Sequence, residues 1–331
     1  MATTIRIGTR ESQLAQWQAT EVKNLLAQYG YSAELILIKS EGDIDLQTPL
    51  YEMGVQGIFT KELDIALLNN RIDIAVHSLK DVPTQPAKGI QQAAVLKRGP
   101  VHDLLVFKND QSAETYSRIA FGKSAAAETE GLLTPDLPTG QAGSRLIIAT
   151  SSIRRKAQWL NKFPHHQIEN LRGNVNTRLR KLSEENWNGA IFAQAGLERI
   201  NLRPTNSIVL DWMLPAPAQG AIVVVCREAD DYCMNACNEF NDTETFLCTK
   251  IERDFLRTLL GGCSTPISAL AEVKENEIHF IGNILSVDGK LKKSIEARES
   301  LLDSSDLGTR CAIKLLQQGG QAIADTIRNA G

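Results

Sequence analysis

Three stretches of the 331-residue sequence set arginine beside small polar side chains: Thr9-Arg10-Glu11-Ser12, Thr150-Ser151-Ser152-Ile153-Arg154-Arg155, and Leu171-Arg172-Gly173-Asn174 followed by Thr177-Arg178. Each follows a run of strand character and leads into a run with helical spacing. A helix N-terminus offers unpaired amide N–H groups and the positive end of the helix dipole, and a serine or threonine hydroxyl there adds a donor. Arginine adds a planar fork that grips a carboxylate or phosphate through two bonds. One such serine is ordinarily a helix cap and one such arginine is ordinarily solvated. Repetition at three junctions points instead to an anion-lined cleft. Like charges about 7 Å apart at an effective dielectric near 20 repel by roughly 2 kcal/mol per pair, so a ligand with many carboxylates needs a comparable number of cations around it.

Two further stretches carry candidate chemistry. In HSLKDVPTQP, residues 77 to 86, Val82 precedes Pro83 and is pushed to an extended conformation, which fixes the backbone and aims Asp81 into the cleft. An acid among arginines stays ionised and can stabilise a cation forming on a substrate. On these residues alone Asp81 reads equally as an ion-pair partner of Lys80 or a turn former, and His77, within the preceding strand, as a packed residue. In LLGGCSTPISALAE, residues 259 to 272, Cys263 stands behind two glycines and ahead of a Ser-Thr-Pro turn, a placement that displays a thiol. Leu259-Leu260-Gly261-Gly262 has the pattern of a glycine-capped helix end, whose partial negative charge does not lower a thiol pKa. A cysteine hydrolase would need a histidine base, and none of His77, His102, His165, His166 and His279 shows a pairing with Cys263.

These residues need a scaffold that gathers strand ends. IRIGTR (5–10) predicts a strand, 12–28 a helix stopping at Gly30, AELILIKS (33–40) a strand, 60–70 a helix and DIAVHSL (73–79) a strand. After a hinge-like stretch at 96–103 the theme restarts at LIIAT (146–150) and runs through SSIRRKAQWL, QIENLRG, NVNTRLRKL, GAIFA and QAGLERI. Alternation of this kind predicts mostly parallel sheets with helices on both faces. LPAPAQG (214–220) reads as a second crossing and AIVVVCRE (221–228) as a strand able to return to the first sheet. From about Thr243 a helix, three strand-like runs with a turn at Asp288-Gly289, and one closing helix from about Ser304 predict an antiparallel α+β unit.

The expected architecture is two hinged α/β lobes of the periplasmic-binding-protein-like kind plus a smaller α+β C-terminal domain with an antiparallel three-stranded sheet. Residues 1–100 with 220–240 form the first lobe, 101–219 the second, and 241–331 the third unit. Ligands in such α/β folds bind at the carboxyl ends of strands. The stretch from about 108 to 145, poor in apolar periodicity, reads as a surface insertion. Within it GKSAAAE imitates a phosphate loop but has Ser117 where the pattern requires glycine.

Composition narrows the class. Hydrophobic content of 43% with 23% charged residues describes an ordinary globular chain, long enough for more than one core. No apolar run reaches the about 18 residues of a membrane span. The N-terminus lacks a signal-peptide layout, so the chain is expected to act in the cytoplasm. A net charge of −3 gives no support to a nucleic-acid partner. Cys226, Cys233, Cys237, Cys248, Cys263 and Cys311 are too scattered for a disulfide scaffold; Cys233 and Cys237 read as packing residues on one helix face, not metal ligands. No heptad seam argues against a monomer.

Taken together, Thr9-Arg10-x-Ser12-x-Leu14-Ala15, DIAVHSLKDVPT, ATSSIRRKAQ, LRGNVNTRL, AGLERI, PAPAQGA and LGGCSTPI closely resemble the porphobilinogen deaminase (hydroxymethylbilane synthase) family, from residue 5 into the third unit and in the same order. The resemblance implies that Cys263 carries a dipyrromethane as a thioether. It implies that four further porphobilinogen units are condensed head to tail with loss of ammonia, releasing hydroxymethylbilane while the primer stays. Each pyrrole bears an acetate and a propionate, which supplies the polyanion. By position, Asp81 would contact pyrrole nitrogens and stabilise the positive charge of the azafulvene-like species formed on deamination. Cofactor contacts would come from Lys80, Asp81, Ser12, Thr150, Ser152, Arg154, Arg155, Arg172, Gly173, Asn174 and Gln219. Substrate carboxylates would fall to Arg10, Ser12, Arg172, Arg178 and Arg199.

The chain departs from the family pattern at Glu52 and Gln56, where lysines are expected on a loop over the cleft, and at Ala218, where glycine is expected. A noncatalytic anion-binding two-lobed receptor is the competing class; it leaves Cys263 and the third unit without a role.

Overall fold

The computed structural model describes residues 3–39, 60–108, 145–259 and 265–328. Cys263, Glu52, Gln56 and most of the expected insertion lie outside the described residues. In the first lobe, β1 (Ile5–Thr9) leads into α1 (Gln13–Gln28), which Ser12 caps by accepting from the Ala15 amide at 3.4 Å. β2 (Ala33–Leu37), α2 (Lys61–Leu68), β3 (Ile74–Ser78) and β4 (Ile90–Val95) follow. The second lobe holds β5 (Asp103–Phe107), β6 (Ile147–Ala149), α3 (Ile153–Lys162), β7 (Gln167–Glu169), α4 (Val175–Glu184), β8 (Gly189–Ala193), α5 (Gln194–Glu198) and β9 (Ser207–Leu210). The chain then supplies β10 (Ile222–Arg227) and α6 (Asp231–Asn238). The third unit is α7 (Thr243–Leu259), β11 (Ile267–Lys274), β12 (Glu277–Leu285), β13 (Lys292–Ser300), α8 (Leu307–Leu315) and α9 (Gln321–Arg328).

Strand order is β2-β1-β3-β10-β4 in the first sheet, β7-β6-β8-β5-β9 in the second and β11-β12-β13 in the third, which is antiparallel throughout. As expected, each lobe's sheet is mostly parallel, but one of its five strands is reversed. β10 runs antiparallel to β3 and β4, and β5 antiparallel to β8 and β9. The crossings explain the difference: each sheet receives one strand from the end where the lobes meet, and that strand must run opposite to those whose carboxyl ends point there. The expected single closing helix is two, broken where Gly319 adopts a left-handed φ of 98°.

Successive strand residues face opposite sides of the first sheet. Ile74 and Val76 pack with Val22 and Leu26 of α1 and with Cys233 and Cys237 of α6, whereas Ala75, Val223 and Val225 pack with Leu63 and Leu67 of α2. Cys233 and Cys237 are therefore core residues. Burial pushes the thiols of Cys237 and Cys248 up to about 12 and that of Cys226 up to about 11, leaving them poor nucleophiles at neutral pH.

The two crossings lie against each other and against α7. The Gly99 amide donates to the Gly220 carbonyl at 3.1 Å, and a Cβ on Gly220, whose φ is 88°, would stand 2.6 Å from the Gly99 oxygen. Glu252 of α7, fully buried, takes a forked pair from Arg98 on the first crossing at 2.7 and 2.9 Å. It also accepts the amides of Ala218 on the second crossing, at 2.6 Å, and Ala271 of β11, at 2.7 Å. Ala218 itself sits at a φ of 62°, which is the backbone reason a glycine is at home there. One carboxylate thus fastens both crossings to the third unit. Replacing Glu252 with alanine strands a buried guanidinium and should lower unfolding free energy by about 3–5 kcal/mol in urea titrations; a loss under about 1 kcal/mol contradicts this role.

Candidate active site

The site forms where the carboxyl ends of strands from both lobes face the crossings. On the first lobe, β1 ends at Thr9 and delivers Arg10. β3 ends at Ser78 and turns through a single 3-10 turn, Leu79–Asp81, into Val82, whose φ of −85° and ψ of 132° are the extended values that Pro83 enforces. The turn is also held from the third unit. Arg253 of α7 donates to the carbonyls of Leu79, Val82 and Pro83 at 3.2, 2.9 and 2.6 Å. Asp81 is therefore presented by a turn whose backbone is fixed on both sides.

On the second lobe the polar residues at the junctions act first as caps. Ser152 accepts from the Arg155 amide at 3.4 Å and begins α3, Thr150 accepts from the Ser152 amide at 3.2 Å, and Asn174 accepts from the Thr177 amide at 3.0 Å to begin α4. Gly173 has a φ of 112°, and its carbonyl accepts from Arg178 Nε at 2.6 Å. Arg172 follows β7 and is buried.

The centre of the site is an acid that spacing did not reveal. Asp103, the first residue of β5 and fully buried, accepts from Arg154 Nη2 at 2.7 Å, from Arg155 Nε and Nη2 at 3.1 and 2.7 Å, and from Gln219 Nε2 at 2.9 Å. Burial alone would raise its pKa, but Arg154 and Arg155 outweigh burial and hold the carboxyl far below the usual range. Arg155 also donates to the Ile191 carbonyl and Arg154 to that of Leu214. Gln219 continues the chain of contacts, accepting from Lys80 Nζ at 3.3 Å. Arg154 Nε is buried without a hydrogen-bond partner among the described residues.

Electrostatics show which groups converge. Burial lowers Lys80 to about 8, with Arg155 and Arg154 opposing its charge and Asp81 and Asp103 favouring it. Burial lowers Arg178 to about 10, pushed further by Arg155 and Arg172 and opposed by Asp81. Lys80 of the first lobe and Arg178 of the second therefore both lie within reach of Asp81 and Arg155. Arg199 stands apart: its Nη2 donates to the Gly220 carbonyl at 2.6 Å and its guanidinium lies 5.6 Å from the Trp17 ring, in the seam between α5 and α1. Beside it Asn176 of α4 donates to Gln13 of α1 at 3.1 Å, another contact between the lobes.

Sequence reasoning missed Asp103, Glu252 and Arg253. For Asp103 a signal exists: HDLLVF opens an otherwise apolar run with a charge, and a charge inside a buried strand needs a partner. The donors fit a group rich in carboxylates, with Arg154 Nε unpartnered among the described residues. Among the described residues no group of histidine, cysteine and acidic side chains could hold a metal, and no helix is long and apolar enough to cross a membrane.

Two family models match the chain: "Porphobilinogen deaminase, dipyromethane cofactor binding domain" over residues 5–235 and "Porphobilinogen deaminase, C-terminal domain" over residues 246–317. A probable porphobilinogen deaminase of Methanocaldococcus jannaschii is 39% identical over 318 residues, 94% of this chain and 99% of that one. The chloroplastic porphobilinogen deaminase of Oryza sativa subsp. japonica is 42% identical over 295 residues, 86% and 75%. That of Acidithiobacillus ferrooxidans is 36% identical over the whole of both chains. Among solved structures, the Bordetella pertussis BvgS periplasmic VFT2 domain aligns with a TM-score of 0.40 at 11% identity, covering 71% of this chain and 86% of that one.

Asp103→Asn keeps the shape of the centre and removes its charge. It should lower unfolding free energy at neutral pH by about 3 kcal/mol, because two buried guanidinia lose their counterion. Urea unfolding of the variant within about 1 kcal/mol of the parent contradicts the assignment.

Proposed function

Because the chain belongs to the porphobilinogen deaminase family, whose members are transferases, we propose that it condenses four porphobilinogen molecules head to tail onto a dipyrromethane held as a thioether on Cys263. One ammonia is lost at each addition and one water is consumed at release to supply the terminal hydroxyl, so four porphobilinogen and one water give hydroxymethylbilane, for tetrapyrrole and so haem synthesis, and four ammonia. The observation that carries this reading is the hydrogen-bonded series Lys80–Gln219–Asp103–Arg154/Arg155, which joins the first lobe to the second beside the turn that bears Asp81. A receptor reading has no comparable support. The chain is read as a cytoplasmic monomer acting on a small molecule, with no membrane or nucleic-acid partner.

In each addition the C–N bond of the aminomethyl group breaks and ammonia leaves with the bonding electron pair, so positive charge develops on the incoming pyrrole. Asp81 accepts from the pyrrole N–H and stabilises that charge. A new C–C bond then forms and the attacked ring loses its α-proton. The dipyrromethane, when bound, supplies the first nucleophilic pyrrole carbon. Arg10, Arg172 and Arg178 grip the acetate and propionate groups, Lys80 and Arg154 extend the cationic wall, and Asp103 keeps Arg154 and Arg155 in place. Ser12, Thr150, Ser152 and Asn174 fix the helix starts from which those cations project. Arg199, in the seam between lobes, serves carboxylate binding only through their closure.

Intact-protein mass together with a steady-state assay tests the assignment. Cys263→Ala should show the bare polypeptide mass and no turnover. Asp81→Asn should keep the mass excess of the two-ring group and turn over about a hundredfold more slowly. An adduct surviving in Cys263→Ala, or wild-type turnover in Asp81→Asn, contradicts it.

A pH dependence follows from Lys80. Its charge is lost as pH rises through about 8, whereas an exposed lysine keeps its charge to about 10. In the Cys263→Ala chain, calorimetric affinity for porphobilinogen should therefore fall between about pH 7 and about pH 9. Lys80→Arg on that background should remove most of the fall, and a flat affinity in the parent variant contradicts the role.

A further inference from the structure

His77 occupies the penultimate position of β3, two-faced in its surroundings: core on one side, the site on the other. It is 6% exposed, and its Nε2 is buried without a hydrogen-bond partner among the described residues. A buried polar atom left without a partner destabilises a fold, and such atoms call for a bound water or a functional reason. The surroundings supply one. His77 lines a cavity of about 10 Å³ together with Arg10, Gln18, Thr60, Ser78 and Asp81. That volume matches one water molecule, and a water is stable where it finds two to four polar partners. Ser78 is already oriented there, since its hydroxyl accepts from Gln18 Nε2 at 2.8 Å.

We propose that His77 is a positioning residue for Asp81: one ordered water in this cavity joins His77 Nε2 to the Asp81 carboxylate and the Arg10 guanidinium, fixing the orientation in which Asp81 meets the pyrrole nitrogen. This rests on the deaminase reading of the site. The charged groups facing the imidazole are Arg10 and Asp81. Burial, with Arg10 beside it, lowers His77 to about 3, so the ring is neutral under working conditions. A neutral imidazole carries one donor and one acceptor and can orient without exchanging a proton. Its role is geometric.

The test compares His77→Gln, which keeps a polar atom near the position of Nε2, with His77→Phe, which keeps a ring and removes every polar atom. Both are prepared as holoenzyme with the adduct verified by mass. His77→Phe should lose at least about tenfold in kcat with KM within about twofold, while its thermal midpoint stays close to the parent's because a ring still fills the space. His77→Gln should restore most of kcat, with a pH profile of the parent's shape. Should the phenylalanine variant not fold, His77→Leu carries the same expectation. Parent-like kcat in the apolar variant, or equal losses of kcat and stability in both variants, overturns the proposal. A parent enzyme without turnover would instead overturn the deaminase reading itself.

Discussion

A single buried carboxylate makes the cationic site possible. Asp103 sits where the first crossing becomes β5, and it pairs with Arg154 and Arg155 at once, offsetting one of their two charges, while also anchoring Gln219 of the second crossing. Without it, two adjacent guanidinia would be buried with nothing to oppose their mutual repulsion and desolvation, which no packing gain nearby could offset. With it, the second lobe presents a rigid positive wall whose remaining field reaches Lys80 and Arg178. The arrangement suits an anionic ligand: Asp103 offsets only part of the charge of Arg154 and Arg155, and Lys80 and Arg178 lie within the same field.

The third unit does more than carry a loop. Through Glu252 it holds both crossings, through Arg253 it holds the turn that bears Asp81, and Gln158 of α3 donates to Ser268 of β11 at 3.0 Å. The same helix α7 that makes the first two contacts runs to Leu259, four residues before Cys263. The turn that bears Asp81 is thus held by the helix that ends four residues before Cys263 in the sequence. The paired crossings touch backbone to backbone at Gly99 and Gly220, and Arg199 lies against Trp17 of the other lobe.

Much of this was legible in the residues. The strand-to-helix junctions at Ser12, Ser152 and Asn174 announce themselves by cap chemistry, and Val82-Pro83 announces the extended exit from the Asp81 turn. The reversal of β5 and β10 was not legible, because periodicity reports which face is buried but not from which end a crossing enters. β4, with Gln91 and Gln92 inside it, and the four-residue β9 lack the alternation that marks a strand. Asp103 was hidden for another reason: its partners lie about fifty residues away, and an acid at the end of a hinge looks like any solvated turn residue. Arg199 shows the converse, a motif arginine whose partners are a carbonyl and an indole of the other lobe.

The most direct measurement is a crystal structure of the protein as isolated, without added substrate. Continuous density should run from Sγ of Cys263 into two linked pyrrole rings lying across Asp81, with their carboxylates on cations of both lobes. A free Cys263 thiol, or a two-ring group held away from Asp81 and Arg10, would contradict it.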